Sequence, residues 1–243
     1  MSVKKILGPL FRKIGYDIVT YNPKSNSIAR EKKLLESYGI DLVLDVGANT
    51  GKYAQKLRRQ MRYKDKIISF EPLSEVYQAL ATKAKKDRNW ETMHYALGGA
   101  DCNMKIHVAG NSYSSSILEM LPAHEKSAPQ SKYVGRESIE VKALDTIFGT
   151  LGCEKQNILL KIDTQGYEKH VLEGAKQTLP LIDSIKLEAS LVPLYEGEFL
   201  FHELCSLLYT KGYRLVSIQP GFSDKHTGEL LQIDGFFHRF QKE

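Results

Sequence analysis

Short apolar runs alternate with amphipathic stretches along most of this 243-residue chain, and that rhythm leaves few folds open. Leu42 to Val46, Lys66 to Phe70, Glu91 to Ala96, Ile158 to Ile162 and Ile185 to Leu187 read as strands. Between them, Thr50 to Met61, Ser74 to Lys86, His170 to Leu179 and Phe199 to Lys211 carry helical spacing. Ser74 stands where it would cap the second of these helices, and Gly212 where it would close the last. Arg214 to Ile218 and Leu230 to Phe237 finish the chain as two strands, expected to be antiparallel neighbours. This order predicts a Rossmann-like α/β fold, with a mainly parallel seven-stranded sheet and helices on both faces. From Gly98 to Gln156 the rhythm breaks. Lys105 to Val108 and Ile139 to Val141 read there as an inserted β-hairpin, joined by a Ser-, Pro- and Lys-rich mobile loop over the active face. The expected organisation is a helical extension over residues 1–40 and one α/β domain over 41–243.

The first strand runs into Asp45-Val46-Gly47-Ala48-Asn49-Thr50-Gly51, a sharp turn into a helix. Gly47 and Gly51 leave room for a ligand against the backbone, and the helix start offers free N–H donors. Their spacing departs from G-x-G-x-x-G and lacks the middle glycine that admits a pyrophosphate. Asp45 would repel a phosphate but could hold an ammonium or order a water. The second strand ends in Glu71-Pro72, where a carboxylate can accept both hydroxyls of a ribose. An adenosyl ligand with an amino-acid tail and no phosphate satisfies all of these, which points to S-adenosylmethionine. The expected cofactor residues are Asp45, Gly47, Asn49, Gly51, Glu71 and Pro72, with the adenine near Ala96 and Leu97.

With these residues in view, the chain resembles the FkbM-type S-adenosylmethionine-dependent methyltransferases from about Leu42 to Phe237. The resemblance includes the glycine turn, Glu71-Pro72, Ala96-Leu97, Ser114-Ser115-Ser116 and Leu144-Asp145-Thr146. Its most specific element is Lys161-Ile162-Asp163-Thr164-Gln165-Gly166-Tyr167-Glu168, followed by Leu172-Glu173-Gly174-Ala175. The commonest family pattern has Glu where this chain has Gln165. The resemblance implies a class I methyltransferase fold and, for most of the family, methylation of a hydroxyl; a sugar, glycan or secondary metabolite is the expected acceptor.

Asp163 ends an apolar strand whose parallel neighbour is expected to end near Glu188, and open α/β sheets bind ligands just beyond such ends. Lys161 and Asp163 lie two apart and share a strand face, so Lys161 can orient Asp163. Glu168 falls near the first turn of the next helix, where an anion is favoured. Asp163 and Glu188 are the candidate bases. They could instead hold Mg²⁺, or Lys161, Asp163 and Glu168 could form a structural ion network. His94, His124, His170, His202 and His238 are further candidate bases.

Charge and composition weigh the rival functions. A mean hydropathy of -0.33, with no long apolar run, excludes a polytopic membrane protein. Cys102, Cys153 and Cys205 are too scattered for a disulfide framework or structural zinc site, which fits a reducing cytoplasm. The net charge of +5 leaves a nucleic-acid methyltransferase open as an alternative. However, Lys161 to Glu168 lacks the Asn/Asp-Pro-Pro-aromatic pattern associated with base amines, so no nucleic-acid partner is expected. A nicotinamide oxidoreductase would share Glu71 but not the glycine spacing. Val3, Ile6, Leu7, Leu10, Phe11 and Ile14 form one helical stripe beside Lys4, Lys5, Arg12 and Lys13, with Pro9 expected to end or kink the first turn. No secretory signal is expected. The favoured reading packs this helix on the domain's own flank, and peripheral contact with an anionic membrane is the alternative.

Overall fold

The computed structural model describes residues 3–153 and 156–240, with side chains from Leu7 onward. Seven strands form one sheet in the order β3-β2-β1-β7-β8-β10-β9. They are β1 (Leu42–Val46), β2 (Lys66–Phe70), β3 (Trp90–Met93), β7 (Ile158–Ile162), β8 (Ser184–Ser190), β9 (Tyr213–Pro220) and β10 (Gln232–Arg239). The pairs from β3 through β8 are parallel, whereas β10 runs antiparallel to both β8 and β9, so the sheet is mixed at one edge. The inserted segment forms a second sheet, in which β6 (Tyr133–Lys142) pairs antiparallel with β5 (Cys102–Ala109) and parallel with the short β4 (Ala96–Leu97).

Alternation along the central strands divides the core into two layers. Leu44, Ile68, Leu160 and Leu187 face one side, where α6 (Leu144–Ile147), α7 (Glu168–Glu173) and α8 (Phe201–Thr210) pack. Val43, Ile67 and Leu159 face the other, against α2 (Ser27–Ser37), α3 (Lys52–Lys56) and α4 (Ser74–Ala84). Leu35 of α2 lies in this second layer, so the segment before β1 contributes to the core. The loop between β5 and β6 carries α5 (Pro122–Ser127).

Several expected elements change. The helix after the glycine turn is α-helical only over Lys52–Lys56 and then widens into a π-helical turn, Leu57–Met61. Arg62 closes that turn at φ 60°, while the Arg58 guanidinium gathers the carbonyls of Tyr63, Asp65 and Asn89. Ser74 does not cap α4; Leu73 holds the cap position and the Glu137 carboxylate accepts from the Ser74 N–H. The expected strand Glu91 to Ala96 splits between two sheets, and the helix expected from His170 starts at Glu168 and ends at Glu173.

The N-terminal helix α1 (Val3–Lys13) continues through Pro9, which does not end it as expected, although Pro9 has no N–H to give to the preceding turn. Of its expected apolar stripe, Leu10 is 60% and Ile14 66% exposed, Leu7 and Phe11 are 37% exposed, and Gly8 of the same helix is buried. The side chains of Val3, Lys4, Lys5 and Ile6 lie outside the described residues. Among the described residues, no helix is long and apolar enough to cross a membrane.

Candidate active site

A cavity of about 250 Å³ opens at the C-terminal ends of β1, β2 and β7, with the second sheet as its far wall. Gly47, Asn49, Glu71, Pro72, Ala96 and Leu97 line it, as do Asp163 and Glu188. Asp45, Gly51 and Lys161 do not line it, although Lys161 lines the cavity beside it.

Register explains the place of Asp45. It stands beside Ser69 on β2 and Lys161 on β7, and Lys161 stands beside Lys186 on β8. A polar row thus crosses four adjacent strands on the face toward α2. Asp45 is 0% exposed; it accepts from the Ser69 hydroxyl at 3.2 Å, and the Lys161 ammonium lies 3.0 Å away. Lys161, a residue of the chain itself, thus places an ammonium against Asp45. Lys161 also reaches Asp163 at 3.4 Å, as their shared strand face predicts. Burial opposes charge on Lys161, but Asp45 and Asp163 hold its pKa above the usual lysine value.

The two glycines of the turn are needed for chain packing. Gly47 has φ 71°, and a Cβ there would stand 1.9 Å from the carbonyl oxygen of Asp163. Gly51 has φ 77°, and a Cβ would meet the Trp90 ring at 2.6 Å. Between them Asn49, at φ 47°, donates its N–H to Glu71 Oε2 at 2.8 Å. Leu73 N–H donates to Glu71 Oε1 at 2.9 Å. Burial pushes the Glu71 carboxyl up to about 7 against the pull of these two donors.

At the opposite end of the cavity, the Gln165 amide joins two acids. Its Nε2 donates to Asp163 Oδ1 at 3.0 Å and to Glu188 Oε2 at 2.6 Å, while its Oε1 accepts from the Tyr195 hydroxyl at 2.7 Å. Gln165 adopts φ 55°, and the Ser116 hydroxyl donates to its carbonyl oxygen. Burial raises the Glu188 pKa well above the carboxylate range, and Asp163, Asp234 and Glu168 add to the effect. The expected Mg²⁺ alternative does not fit these residues. An N–H donor fills the space between the two carboxylates, and no cluster of three His, Cys, Asp or Glu suited to a metal occurs among the described residues.

Glu168 is buried and serves as a local cap, accepting from the Thr164 N–H at 2.9 Å and from the Thr164 hydroxyl at 3.1 Å. Burial pushes its pKa up to about 7. None of the five candidate histidines lines the cavity. His94 stacks on Tyr77, His170 on Tyr167 and His238 on Tyr38, and His202 lies exposed on α8. His124 is buried beside Tyr195 and Phe222, which lowers its pKa to about 4. Asp145 accepts from the backbone N–H groups of Gln177 and Thr178, a structural role.

Residues not singled out in the sequence complete the surroundings. Ser112 and Tyr113 reach over the glycine turn, with Asn49 donating to the Ser112 hydroxyl at 3.3 Å. Glu31 of α2 is 0% exposed beneath the site, bound to Lys186, Lys56 and the Tyr53 hydroxyl. No spacing within one strand announces these contacts, because they depend on strand register and on how α2 packs.

The family model of the methyltransferase FkbM domain matches residues 45–215. Methyltransferase 1 of Beauveria bassiana is 25% identical over 199 residues, covering 74% of this chain and 75% of that protein. The 2-O-methyltransferase NoeI of Sinorhizobium fredii is 26% identical over 175 residues, covering 69% of this chain and 70% of that protein. Among solved structures, methyltransferase FkbM from Methylobacillus flagellatus superposes with a TM-score of 0.52 at 13% identity, a likeness of fold. The match covers 81% of this chain and 43% of that one.

Proposed function

The chain belongs to the FkbM methyltransferase family, and from that premise we propose that it methylates a hydroxyl of a sugar, glycan or other secondary metabolite, using S-adenosylmethionine. The observation that carries the cofactor reading is the buried Glu71 carboxylate lining a cavity whose adjoining wall is Leu73, Ala96 and Leu97. Such a site offers an acid to a ribose diol and apolar surface to a purine. Gly47 and Asn49 bound the same cavity toward the carboxylate pair. When bound, S-adenosylmethionine supplies a methyl group on a sulfonium, a good leaving group.

The chain's own task is then mainly positioning, worth on the order of 7 to 11 kcal/mol in favourable cases. Asp163 and Glu188 stand together where the cavity meets its neighbour, so either can take a proton from a hydroxyl seated there. General base assistance typically contributes about 10²- to 10⁴-fold. Lys161 and Gln165 fix where the Asp163 carboxylate points. The relative named as a 2-O-methyltransferase supports oxygen as the acceptor atom.

Incubation with labelled cofactor and a metabolite extract tests the reading. Label is expected in an O-methyl ether of a small molecule or glycan; label confined to nitrogen or to nucleic acid would overturn it.

We also propose that α1 contacts an anionic membrane surface. The exposed Leu10 and Ile14 lie beside Arg12 and Lys13, a pairing suited to lipid tails and acidic headgroups. Full-length protein is expected to sediment with anionic liposomes, and a chain starting at residue 21 to stay in solution. Equal partitioning of the two would remove the proposal.

A further inference from the structure

A second cavity of about 260 Å³ adjoins the first and shares Asp163 and Glu188 with it. Lys52, Tyr53, Lys56, Tyr113, Lys161, Lys186 and Asp234 also line it. If the first cavity holds the cofactor, as proposed above and as this inference assumes, the acceptor hydroxyl must approach from the side where both acids are shared. A third cavity reaches Glu188 but not Asp163.

The cations of the second cavity fall into two kinds. Lys161 is held by Asp45 at 3.0 Å and Asp163 at 3.4 Å, Lys186 is pinned between Glu31 at 3.1 Å and Asp234 at 3.2 Å, and Lys56 is held by Glu31 at 3.1 Å. Their charges are matched within the fold, so they form a fixed floor of adjacent donors and acceptors. A hydroxyl suits such a floor because it accepts from an ammonium and donates to a carboxylate at once. Lys52 differs. Its ammonium lies 3.9 Å from the Tyr113 ring centre, and among the described residues no carboxylate pairs with it. Lys83, beside the same rim, spends its ammonium on the Thr50 carbonyl. The rim therefore carries positive charge that the chain does not balance, above a floor that is balanced.

We propose that this second cavity is the acceptor subsite and takes a sugar-like polyol bearing an acidic group. Its hydroxyls address Lys56 and Asp234, and its acidic group addresses Lys52. A charge-assisted contact of this kind is worth about tenfold or more in affinity.

Ligand-observed NMR with D-glucuronate and D-glucose, on the free protein and on its adenosylhomocysteine complex, tests the proposal. Glucuronate is expected to bind about tenfold or more tightly than glucose. Lys52→Met should erase that preference while leaving adenosylhomocysteine affinity unchanged, and Asp234→Asn should weaken both sugars alike. Equal binding of the two sugars, binding of neither, or an acid preference that survives Lys52→Met would overturn it. Failure of adenosylhomocysteine to bind would instead remove the cofactor reading, while the titrations on free protein still report on the subsite.

Discussion

Gln165 Nε2 lies 2.6 Å from Glu188 Oε2, so a neutral amide meets one carboxylate while its other hydrogen reaches a second, Asp163. A glutamate at this position could make both contacts only through an O–H and a rearranged pair. The amide makes them at any pH, which lets two acids sit together without a metal. Gln165→Glu should therefore destabilise the fold by about 1 to 3 kcal/mol near neutral pH, the cost of leaving buried polar groups unsatisfied. The loss should shrink on acidification, when a shared proton restores the donor. Thermal melts across the acid range check this, and a loss that does not depend on pH would argue against it.

Glu71 predicts a proton linked to cofactor binding. Burial holds its carboxyl up at about 7, above the ordinary 4.5. The folded chain thus binds more protons than the unfolded chain between those values, and the Glu71 contribution to stability falls as pH rises through that window. Ribose hydroxyls donate to the ionised form. Adenosylhomocysteine affinity should then rise as pH passes about 7, with release of a proton visible as buffer-dependent heat in calorimetry. Glu71→Gln should bind more weakly and lose the pH dependence.

Much of the fold was legible because it rests on local patterns. Leu42 to Val46, Lys66 to Phe70 and Ile158 to Ile162 have the same limits in the structure as in the sequence, each being an apolar run bounded by turn residues. The candidate site was legible where a strand end decides a residue's place, as for Glu71 and Asp163, whereas Glu188 lies inside β8, which runs on to Ser190. The site was not legible where two strands must be aligned. Asp45 looked available for a ligand until its pairing beside Lys161 showed where its charge goes. Glu31 carried no signal at all, because its importance comes from α2 packing over Lys186, far away in the chain. The glycine turn was legible as a close approach, but it was not legible that Gly47 also makes room for the Asp163 carbonyl and Gly51 for Trp90.

Glu31 predicts acid sensitivity of the opposite sign to Glu71. Despite full burial, Lys186, Lys56 and the Tyr53 hydroxyl bring its pKa down from 4.5 to about 2. Its contribution is present above the unfolded value and is lost as pH falls through that window. Removing one partner of a buried pair typically costs about 3 to 5 kcal/mol, because the other charge is left uncompensated. Glu31→Gln should lower the melting temperature at neutral pH, and the difference from wild type should narrow toward about pH 2. A variant that melts like wild type would show that Asp234 alone satisfies Lys186.

Asp163 and Glu188 should separate turnover from cofactor binding. Both line the first cavity and the one beside it, whereas Glu71 lines only the first of these two. Asp163→Asn keeps the side-chain shape but turns an N–H toward Gln165 or Lys161 and cannot take up a proton, so it should retain adenosylhomocysteine affinity and lose roughly 10²-fold or more in methyl transfer. Glu188→Gln removes a carboxyl whose pKa burial already raises, so its fold should be retained or become more stable at alkaline pH. If Asp163 is the group that takes the proton, Glu188→Gln loses much less; if Glu188 does so, Glu188→Gln is the variant that loses turnover. EDTA should leave both patterns unchanged, since an amide donor occupies the space between the acids. Full activity in Asp163→Asn with a lowered melting temperature would make the Lys161–Asp163 pair structural and move the base to Glu188.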